Sequence, residues 1–238
     1  MASDDFRGAL FILAGMLIFS VQDVLIRQLS DGGSLLQVLT MRGVLGAMVI
    51  SIFVKLTGRQ LTISSSYPFL AASRVVLFFV GFLCFYFALS HMRLAEATAL
   101  FFASPLFITA ISKLVLKETV GMFRVAAMII GFIGVIFIVQ PSADGFSVIA
   151  IFPLFTALTY SISMMIARHT KEKDTIWQQM LHLYIGSALV AGVASLVLYM
   201  LGLDEIDLPY AGYIVRQWSF ADSHVLSIIC MVAVIGST

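Results

Sequence analysis

Long apolar stretches separated by short charged segments run through the whole chain. Seven stretches contain no Asp, Glu, Lys or Arg: 8–22, 75–92, 97–112, 125–143, 145–167, 175–203 and 223–238. A helix needs roughly 20 mostly apolar residues to cross a bilayer, and several stretches meet that length directly or with one buried charge. Only helices and closed barrels satisfy every backbone polar group in a bilayer, and alternating barrel strands are absent from this pattern. The pattern predicts an all-α polytopic membrane protein.

The charged boundaries of these stretches place eight transmembrane spans. Their predicted bounds are 8–27, 35–55, 68–90, 94–115, 121–139, 146–167, 177–201 and 224–238. Pro105 and Pro153 predict kinks in the fourth and sixth spans, because proline frees a backbone carbonyl. Glycine pairs at 43–46 and 131–134 predict positions where two helices pack closely.

Composition narrows the class of protein. The chain has 238 residues, of which 61% are apolar and 11% are charged, and its mean hydropathy is +1.04. Soluble domains carry about 25% charged residues, so the composition disfavours a soluble enzyme, a nucleic-acid-binding protein and a disordered chain. A net charge of +1 also argues against a partner recruited by a strong overall field. The composition predicts the lipid bilayer as a partner and no nucleic acid.

The distribution of Lys and Arg predicts the orientation in the membrane. With a cytoplasmic N-terminus, nine basic residues fall on the cytoplasmic side: Arg7, Lys55, Arg59, Lys113, Lys117, Arg124, Arg168, Lys171 and Lys173. Three fall on the opposite side: Arg27, Arg93 and Arg216. Because cytoplasmic loops carry the excess of positive charge, we expect a multi-pass protein of the inner (plasma) membrane whose N-terminus is cytoplasmic.

The chain matches itself at an offset of 141 residues. Residues 20–27 (SVQDVLIR) lie over 161–168 (SISMMIAR), and the same offset pairs Gln37 with Gln178 and Ala47 with Ala188. Five predicted spans separate the copies, and an odd number inverts the second copy, as in secondary transporters with inverted repeats. We therefore expect a first repeat over 1–141 (helices 1–5) and an incomplete second repeat over 142–238 (helices 6–8). Two five-helix repeats make ten helices, so the gene is expected to continue for about 40–60 residues.

Several segments resemble a known family. Residues 88–107 (ALSHMRLAEATALFFASPLF), continuing to Glu118, resemble the third-to-fourth-helix signature of the drug/metabolite transporter superfamily, EamA-type domain. Residues 131–141 (GFIGVIFIVQP) resemble the end of its first repeat, and Arg42 and Arg74 also fit its pattern. The resemblance implies ten helices, two cytoplasmic termini and transport of a solute, which it does not name.

Two charged side chains within spans are the leading site candidates. Asp23 and Arg42 lie on consecutive predicted helices, roughly 7–10 Å below the outer edge of the bilayer. A charge at the bilayer centre costs about 2.5–3.5 kcal/mol on insertion scales, so each needs a partner or a wet cavity. The two form either a static ion pair or a site where Arg42 attracts an anionic solute group and Asp23 holds Arg42 or accepts a proton. Their repeat counterparts, Met164 and Leu183, carry no such pair, which favours the functional interpretation.

Further candidates lie on the first, third and sixth spans. Arg74 either snorkels to the interface or binds an anionic solute group. Four hydroxyl side chains share one face of the sixth span: Thr156, Thr159, Tyr160 and Ser163. They either pack against a neighbouring helix or line a cavity. Ser163 is the repeat counterpart of Gln22, which adds Gln22 to the candidates.

No pattern predicts a metal or a cofactor. The four histidines are scattered, and Cys84 and Cys230 lie in apolar stretches without redox or metal spacing. The chain has no Gly-rich Walker loop that would bind a nucleotide for hydrolysis.

These features together predict a secondary transporter of small organic metabolites that works by alternating access, and not an enzyme. The solutes implied are amino-acid-like, nucleotide-derived or drug-like. The alternatives are a membrane-embedded enzyme acting on lipid-like substrates, which would need a convergent acid–base group, and a channel, which would need a ring of charge or carbonyls. The sequence leaves open the coupling ion, the direction of transport and whether the protein is a homodimer.

Overall fold

The computed structural model of the chain describes residues 10, 15, 17, 20–26, 34–60, 62–115, 121–139, 148–202, 214, 216 and 218. These residues form helices and turns, and no strand occurs within these ranges. The helices are α1 (residues 20–26), α2 (Leu35–Leu56), α3 (Pro68–Leu89), α4 (Leu94–Phe101), α5 (Ser104–Val115), α6 (Met122–Val139), α7 (Ile151–Thr170) and α8 (Ile176–Met200).

Five segments are long and apolar enough to cross a membrane. They are Leu35–Leu56, Pro68–Leu89, Leu94–Leu114, Val148–Thr170 and Ile176–Met200, and they coincide with the second, third, fourth, sixth and seventh predicted spans. The all-α membrane class is thereby confirmed. The fifth predicted span coincides with α6, whereas the eighth, 224–238, lies outside the described residues.

The fourth predicted span is not one continuous helix. It is interrupted at Phe102–Ala103, between α4 and α5, although the span as a whole lies where the sequence predicts it. Pro105 is the second residue of α5, where its missing N–H would have no intrahelical partner. The kink predicted at Pro105 is therefore realised as a break. Pro153 lies in the first turn of α7, a position where the helix tolerates proline.

The helices α2 and α8 begin at equivalent positions of the proposed repeat. The Ser34 hydroxyl accepts a hydrogen bond from the N–H of Gln37 and caps α2. The Thr175 hydroxyl accepts from the N–H of Gln178 and caps α8, completing a capping box. The two caps, and the two residues that they bond, are 141 positions apart.

These two helices pack closely at a pair of glycines. A Cβ atom added to Gly43 would lie 2.6 Å from the backbone oxygen of Tyr184 and 2.7 Å from the Cβ of Ala188. A Cβ added to Gly46 would lie 2.6 Å from the Tyr184 ring. Only glycine permits this approach, which confirms the packing predicted at 43–46. At Gly131 and Gly134, in contrast, an added Cβ would meet no described atom within 4 Å, and the packing predicted there is wrong for the described part of the chain.

The helix α3 lies between α8 and α7. Val75 packs against Gly186 of α8, where an added Cβ would lie 2.5 Å from the valine side chain. On its other side, the carbonyl oxygen of Gly81 accepts a hydrogen bond of 3.0 Å from the Thr156 hydroxyl of α7. The buried apolar core is built largely on α2 and α3 and includes Leu39, Phe79, Phe85 and Leu89. This arrangement surrounds the end of α3 that carries Tyr86.

The charged turn between α3 and α4 forms a local pair. The Arg93 Nε donates to Glu96 Oε1 over 2.6 Å, and the arginine side chain is 82% exposed. The two side chains form an i,i+3 pair that is largely solvated at the arginine.

Candidate functional site

A buried series of hydrogen bonds joins α1 to α3. The Tyr86 hydroxyl donates to Asp23 Oδ1 over 3.0 Å, and Gln22 Nε2 donates to the same hydroxyl oxygen over 3.3 Å. Tyr86 is 2% exposed and Gln22 is 1% exposed. A buried tyrosine hydroxyl usually needs a polar partner, and here it has two on one helix. Tyr86 does not stand out in the sequence, because it lies in a run of aromatic residues that is typical of a buried core.

Arg42 lies beside these hydrogen-bonded residues but makes no direct contact with the Asp23 carboxylate. It is 7% exposed, and its guanidinium carbon lies 4.9 Å from the centroid of the Phe82 ring, a cation–π arrangement. Its charge attracts Asp23, but the two described side chains form no ion pair within 4.0 Å. Of the two interpretations that the sequence leaves open, the static ion pair is therefore not formed between the described side chains. The tyrosine hydroxyl contacts the carboxylate, while the guanidinium stacks on a ring.

The buried polar atoms that have no hydrogen-bond partner among the described residues include one on α1 and one on α7. These two are Gln22 Oε1 and Ser163 Oγ, and Ser163 is 0% exposed. Buried polar groups are nearly always hydrogen-bonded, so each exception calls for an explanation such as a ligand or water. Gln22 and Ser163 are also repeat counterparts at the offset of 141.

The remaining hydroxyls on the α7 face contact protein groups. The Thr156 hydroxyl donates to Gly81 and Phe152 carbonyl oxygens, and the Thr159 hydroxyl donates to the Thr156 carbonyl oxygen. The Tyr160 ring packs edge-on against Phe101, with 5.3 Å between centroids. Thr156 and Thr159 thus make the packing contacts that the sequence analysis weighed against a cavity role.

Arg74 lies away from the Asp23 cluster. It precedes Tyr86 by 12 residues on α3, about 18 Å along a helix axis. Arg74 is 8% exposed; its Nη1 donates to Gln179 Oε1 over 3.0 Å, and its Nε has no partner in the described part of the chain. It borders a small pocket that is also lined by Ala71, Ile166, Thr170, Asp174, Gln179, His182 and Leu183. The structure therefore separates the charged candidates into two regions.

At the Arg74 end, the connection between α2 and α3 binds the α7–α8 turn. Asp174 accepts hydrogen bonds from the Ser65 hydroxyl and, over 2.9 Å, from the Ser66 N–H. Gln178 Nε2 donates to the Ser64 carbonyl oxygen over 3.3 Å, and His182 Nε2 donates to that of Ile63 over 2.6 Å. We name this set of contacts, between residues 63–66 and residues 174–182, the loop clasp.

Asp174 is the charged centre of the loop clasp and is 2% exposed. Burial alone would raise the pKa of its carboxyl. The hydrogen bonds from Ser65 and Ser66 outweigh burial, with a further contribution from the charge of His182, and the pKa lies below its usual value. Asp174 is therefore ionised throughout the physiological range.

Aromatic and cationic side chains flank the loop clasp. The Tyr67 ring lies 5.9 Å from the His169 ring and 5.2 Å from Lys173 Nζ. The Trp177 ring packs on the Phe53 ring with 5.1 Å between centroids. Within the described ranges no cluster of three His, Cys, Asp or Glu side chains could hold a metal ion.

Comparisons with known proteins point to one family. The model of the EamA-like transporter family matches residues 6–140. A riboflavin transporter of Rhizobium johnstonii is 36% identical over 135 residues, covering 54% of this chain and 45% of the relative. An S-adenosylmethionine uptake transporter of Rickettsia prowazekii is 24% identical over 194 residues, covering 82% and 64%. A pseudopaline exporter of Pseudomonas aeruginosa is 26% identical over 168 residues, covering 68% and 58%. The chain thus spans less than two thirds of the length of these relatives.

Proposed function

Because this chain belongs to the EamA-like transporter family, we propose that it carries a small organic solute across the inner membrane as a secondary transporter. Relatives of this chain are named as transporters of riboflavin, S-adenosylmethionine and pseudopaline. The proposed solute class is correspondingly amino-acid-like, nucleotide-derived or drug-like. The N-terminus is proposed to be cytoplasmic, from the excess of Lys and Arg on that side.

The proposed architecture is a ten-helix bundle of two inverted five-helix repeats, with the first over 1–141 and part of the second over 142–238. The equivalent caps of α2 and α8 support it. So does the contact of Gly43 with Tyr184, its own counterpart at the offset of 141. A residue touches its own counterpart only close to a two-fold axis, so this axis is proposed to cross between α2 and α8.

The solute site is proposed to lie where the polar faces of α1, α3 and α7 meet. The observation that carries this proposal is the pair of unpartnered buried atoms, Gln22 Oε1 and Ser163 Oγ, at equivalent positions of the two repeats. Transporters with inverted repeats bind solute near the midplane between their halves. A solute that donates hydrogen bonds to both oxygens would remove two unsatisfied groups at once.

Arg42 and Asp23 are proposed to supply the charge of this site. Arg42 is buried over Phe82 without a carboxylate on its guanidinium among the described residues, which leaves it free to attract an anionic solute group. Asp23 is held by the Tyr86 hydroxyl and accepts a proton or balances the charge of Arg42. Tyr86 acts as a positioning residue between Gln22 and Asp23.

Three substitutions test this site. Asp23→Asn and Arg42→Gln should each lower solute counterflow in liposomes by at least tenfold, while expression and folding stay near normal. Tyr86→Phe, which removes only the bridging hydroxyl, should lower counterflow several-fold. Tyr199→Phe, at an exposed position of α8, is the matched control and should have no effect.

A purely structural role predicts a different pattern. Leaving one member of a buried charge pair uncompensated costs about 3–5 kcal/mol, so each single variant would misfold. The apolar double variant Asp23→Leu/Arg42→Met would then fold and recover counterflow. Recovery in the double variant would remove both residues from the proposed site.

A further inference from the structure

The loop clasp joins segments that belong to different proposed repeats. Residues 63–66 connect α2 to α3, and residues 174–182 form the turn before α8 and its first two turns. Four hydrogen bonds cross between them, and each has a side chain as donor or acceptor. Both connections lie on the side that the charge distribution predicts to be cytoplasmic.

We propose that the loop clasp is the gate that closes the carrier at this end, and that Asp174 is the residue that holds it shut. The proposal rests on the transport function proposed above, because a gate has meaning only for a carrier. Alternating access requires the two halves to separate at one end while they stay packed elsewhere. The contacts of this chain are distributed in that way.

The middle of the interface between the halves is unsuited to opening. At Gly43 the backbones of α2 and α8 approach so closely that an added Cβ would lie 2.6 Å from a main-chain oxygen. Separating the helices there would break continuous packing. The helices can instead rock about this point, and the contacts that must then break lie at the ends.

The loop clasp, in contrast, can break without disrupting any helix. Its acceptors are the Asp174 carboxylate and the carbonyl oxygens of a non-helical connection. Its donors are side chains and one backbone N–H, that of Ser66, which belongs to no helix. Water can replace each of these partners once the segments separate. Asp174 takes two of the four hydrogen bonds and carries the only charge of that acceptor set, so its bonds are the strongest.

The pocket beside Arg74 lies behind this gate. Asp174, Gln179 and His182 line the pocket, and Asp174 and His182 also hold the loop clasp. Gln179 Nε2 further donates to the carbonyl oxygens of Ala167 and Asp174, which ties the turn to α7. Opening the loop clasp would therefore expose the pocket and its buried guanidinium to the solution on this side.

The two central side chains of the loop clasp are not repeated at the offset of 141. At the offset of 141, the counterparts of Asp174 and His182 are Gly33 and Met41, which have no side chain able to make the same hydrogen bonds. The repeat therefore supplies no matching pair of side chains at these counterpart positions. The loop clasp biases the resting carrier towards the state that is closed on the side of the 57–67 connection.

Accessibility of the pocket tests the gate without any transported solute. In a Cys84→Ala/Cys230→Ala background, Ala71→Cys places one thiol in the pocket lining. Adding Asp174→Ala should speed its reaction with a membrane-impermeant maleimide at least tenfold, from one side of the membrane only. Glu172→Ala, on the same turn and exposed, is the control and should leave the rate unchanged. An unchanged rate in the folded Asp174→Ala protein would overturn the proposal.

A reversible cross-link tests the consequence for transport. In the same background, Ser65→Cys/Asp174→Cys should lose counterflow after oxidation with copper phenanthroline and regain it after dithiothreitol. The control pair Ala167→Cys/Lys171→Cys lies one helical turn apart at the end of α7, replaces no side chain of the loop clasp or of the pocket lining, and should keep counterflow in both states. Full counterflow in the cross-linked Ser65/Asp174 protein would overturn the gate. Absence of counterflow in the unmodified parent would instead contradict the proposed transport function. In that case the maleimide reaction rates would still decide whether the loop clasp closes the pocket.

Discussion

Asp174 combines a buried charge with a position outside the membrane-spanning helices. Its hydrogen bonds from Ser65 and Ser66 hold its pKa below the usual value of 3.8. A carboxyl group whose pKa is lowered on folding stabilises the folded state above its unfolded pKa. That contribution is lost as the pH falls through the folded pKa. The loop clasp therefore stays formed across the physiological range and weakens only in strong acid.

We expect Asp174→Asn to destabilise the protein by about 1.5–3 kcal/mol, the value of a hydrogen bond to a charged group. In detergent, the difference in melting temperature from the parent should be constant between about pH 8 and pH 5 and shrink below about pH 4, where the parent carboxylate becomes protonated. Glu172→Gln on the same turn should show no difference at any pH. A difference that shrinks between pH 8 and pH 6 would contradict the lowered pKa.

At the residue scale, the sequence predicts charges better than it predicts their partners. Asp23, Arg42 and Arg74 stand out because charge within an apolar span is costly, and Arg42 and Arg74 prove to be buried. Tyr86 and Asp174 do not stand out. The tyrosine lies among phenylalanines, and an aspartate before a helix is ordinary at a solvated turn. Their roles come from Asp23 and Ser65, which are 63 and 109 residues away in sequence.

At the scale of elements, helix positions follow from local sequence, but helix contacts do not. Length and apolarity place five spans, and Ser34 and Thr175 cap their helices through neighbours in sequence. Two glycine pairs looked equivalent, yet only Gly43 and Gly46 face a neighbouring described helix. Which face of a span meets protein and which meets lipid depends on tertiary packing, because both surroundings are apolar.

The two glycine pairs give a matched test of helix packing. We expect Gly43→Ala to lower the melting temperature in detergent by several degrees, because its Cβ would overlap the backbone of Tyr184. Overpacking of this kind typically costs about 1–3 kcal/mol. Gly131→Ala should be neutral or stabilising by up to about 1 kcal/mol, since alanine is the better helix former and the site is open. Equal effects at the two positions would contradict the α2–α8 packing.

At the scale of the whole molecule, the contacts fix which connections lie together. The loop clasp brings the connection after α2 to the turn after α7, as expected if both lie on one side of the membrane. The excess of Lys and Arg predicts that this side is cytoplasmic.

Thiol labelling tests this orientation. A cysteine replacing Lys171 or Lys173 should react with an impermeant reagent only from the cytoplasmic side. A cysteine replacing Glu205 or Tyr213, in the predicted external connection, should react only from outside. The reverse labelling at both connections would refute the orientation and leave the helix contacts intact.

Solute counterflow in proteoliposomes decides whether the protein is a carrier. Proteoliposomes loaded with single members of a library of amino-acid-like, nucleotide-derived and drug-like solutes would be exposed to a trace of the same labelled solute outside. A carrier predicts that at least one solute accumulates transiently above equilibrium, with an initial rate that saturates with its concentration and falls at least tenfold in Arg42→Gln. A solute flux that rises linearly with solute concentration and shows no counterflow would instead indicate a channel. That result would contradict the proposed carrier function.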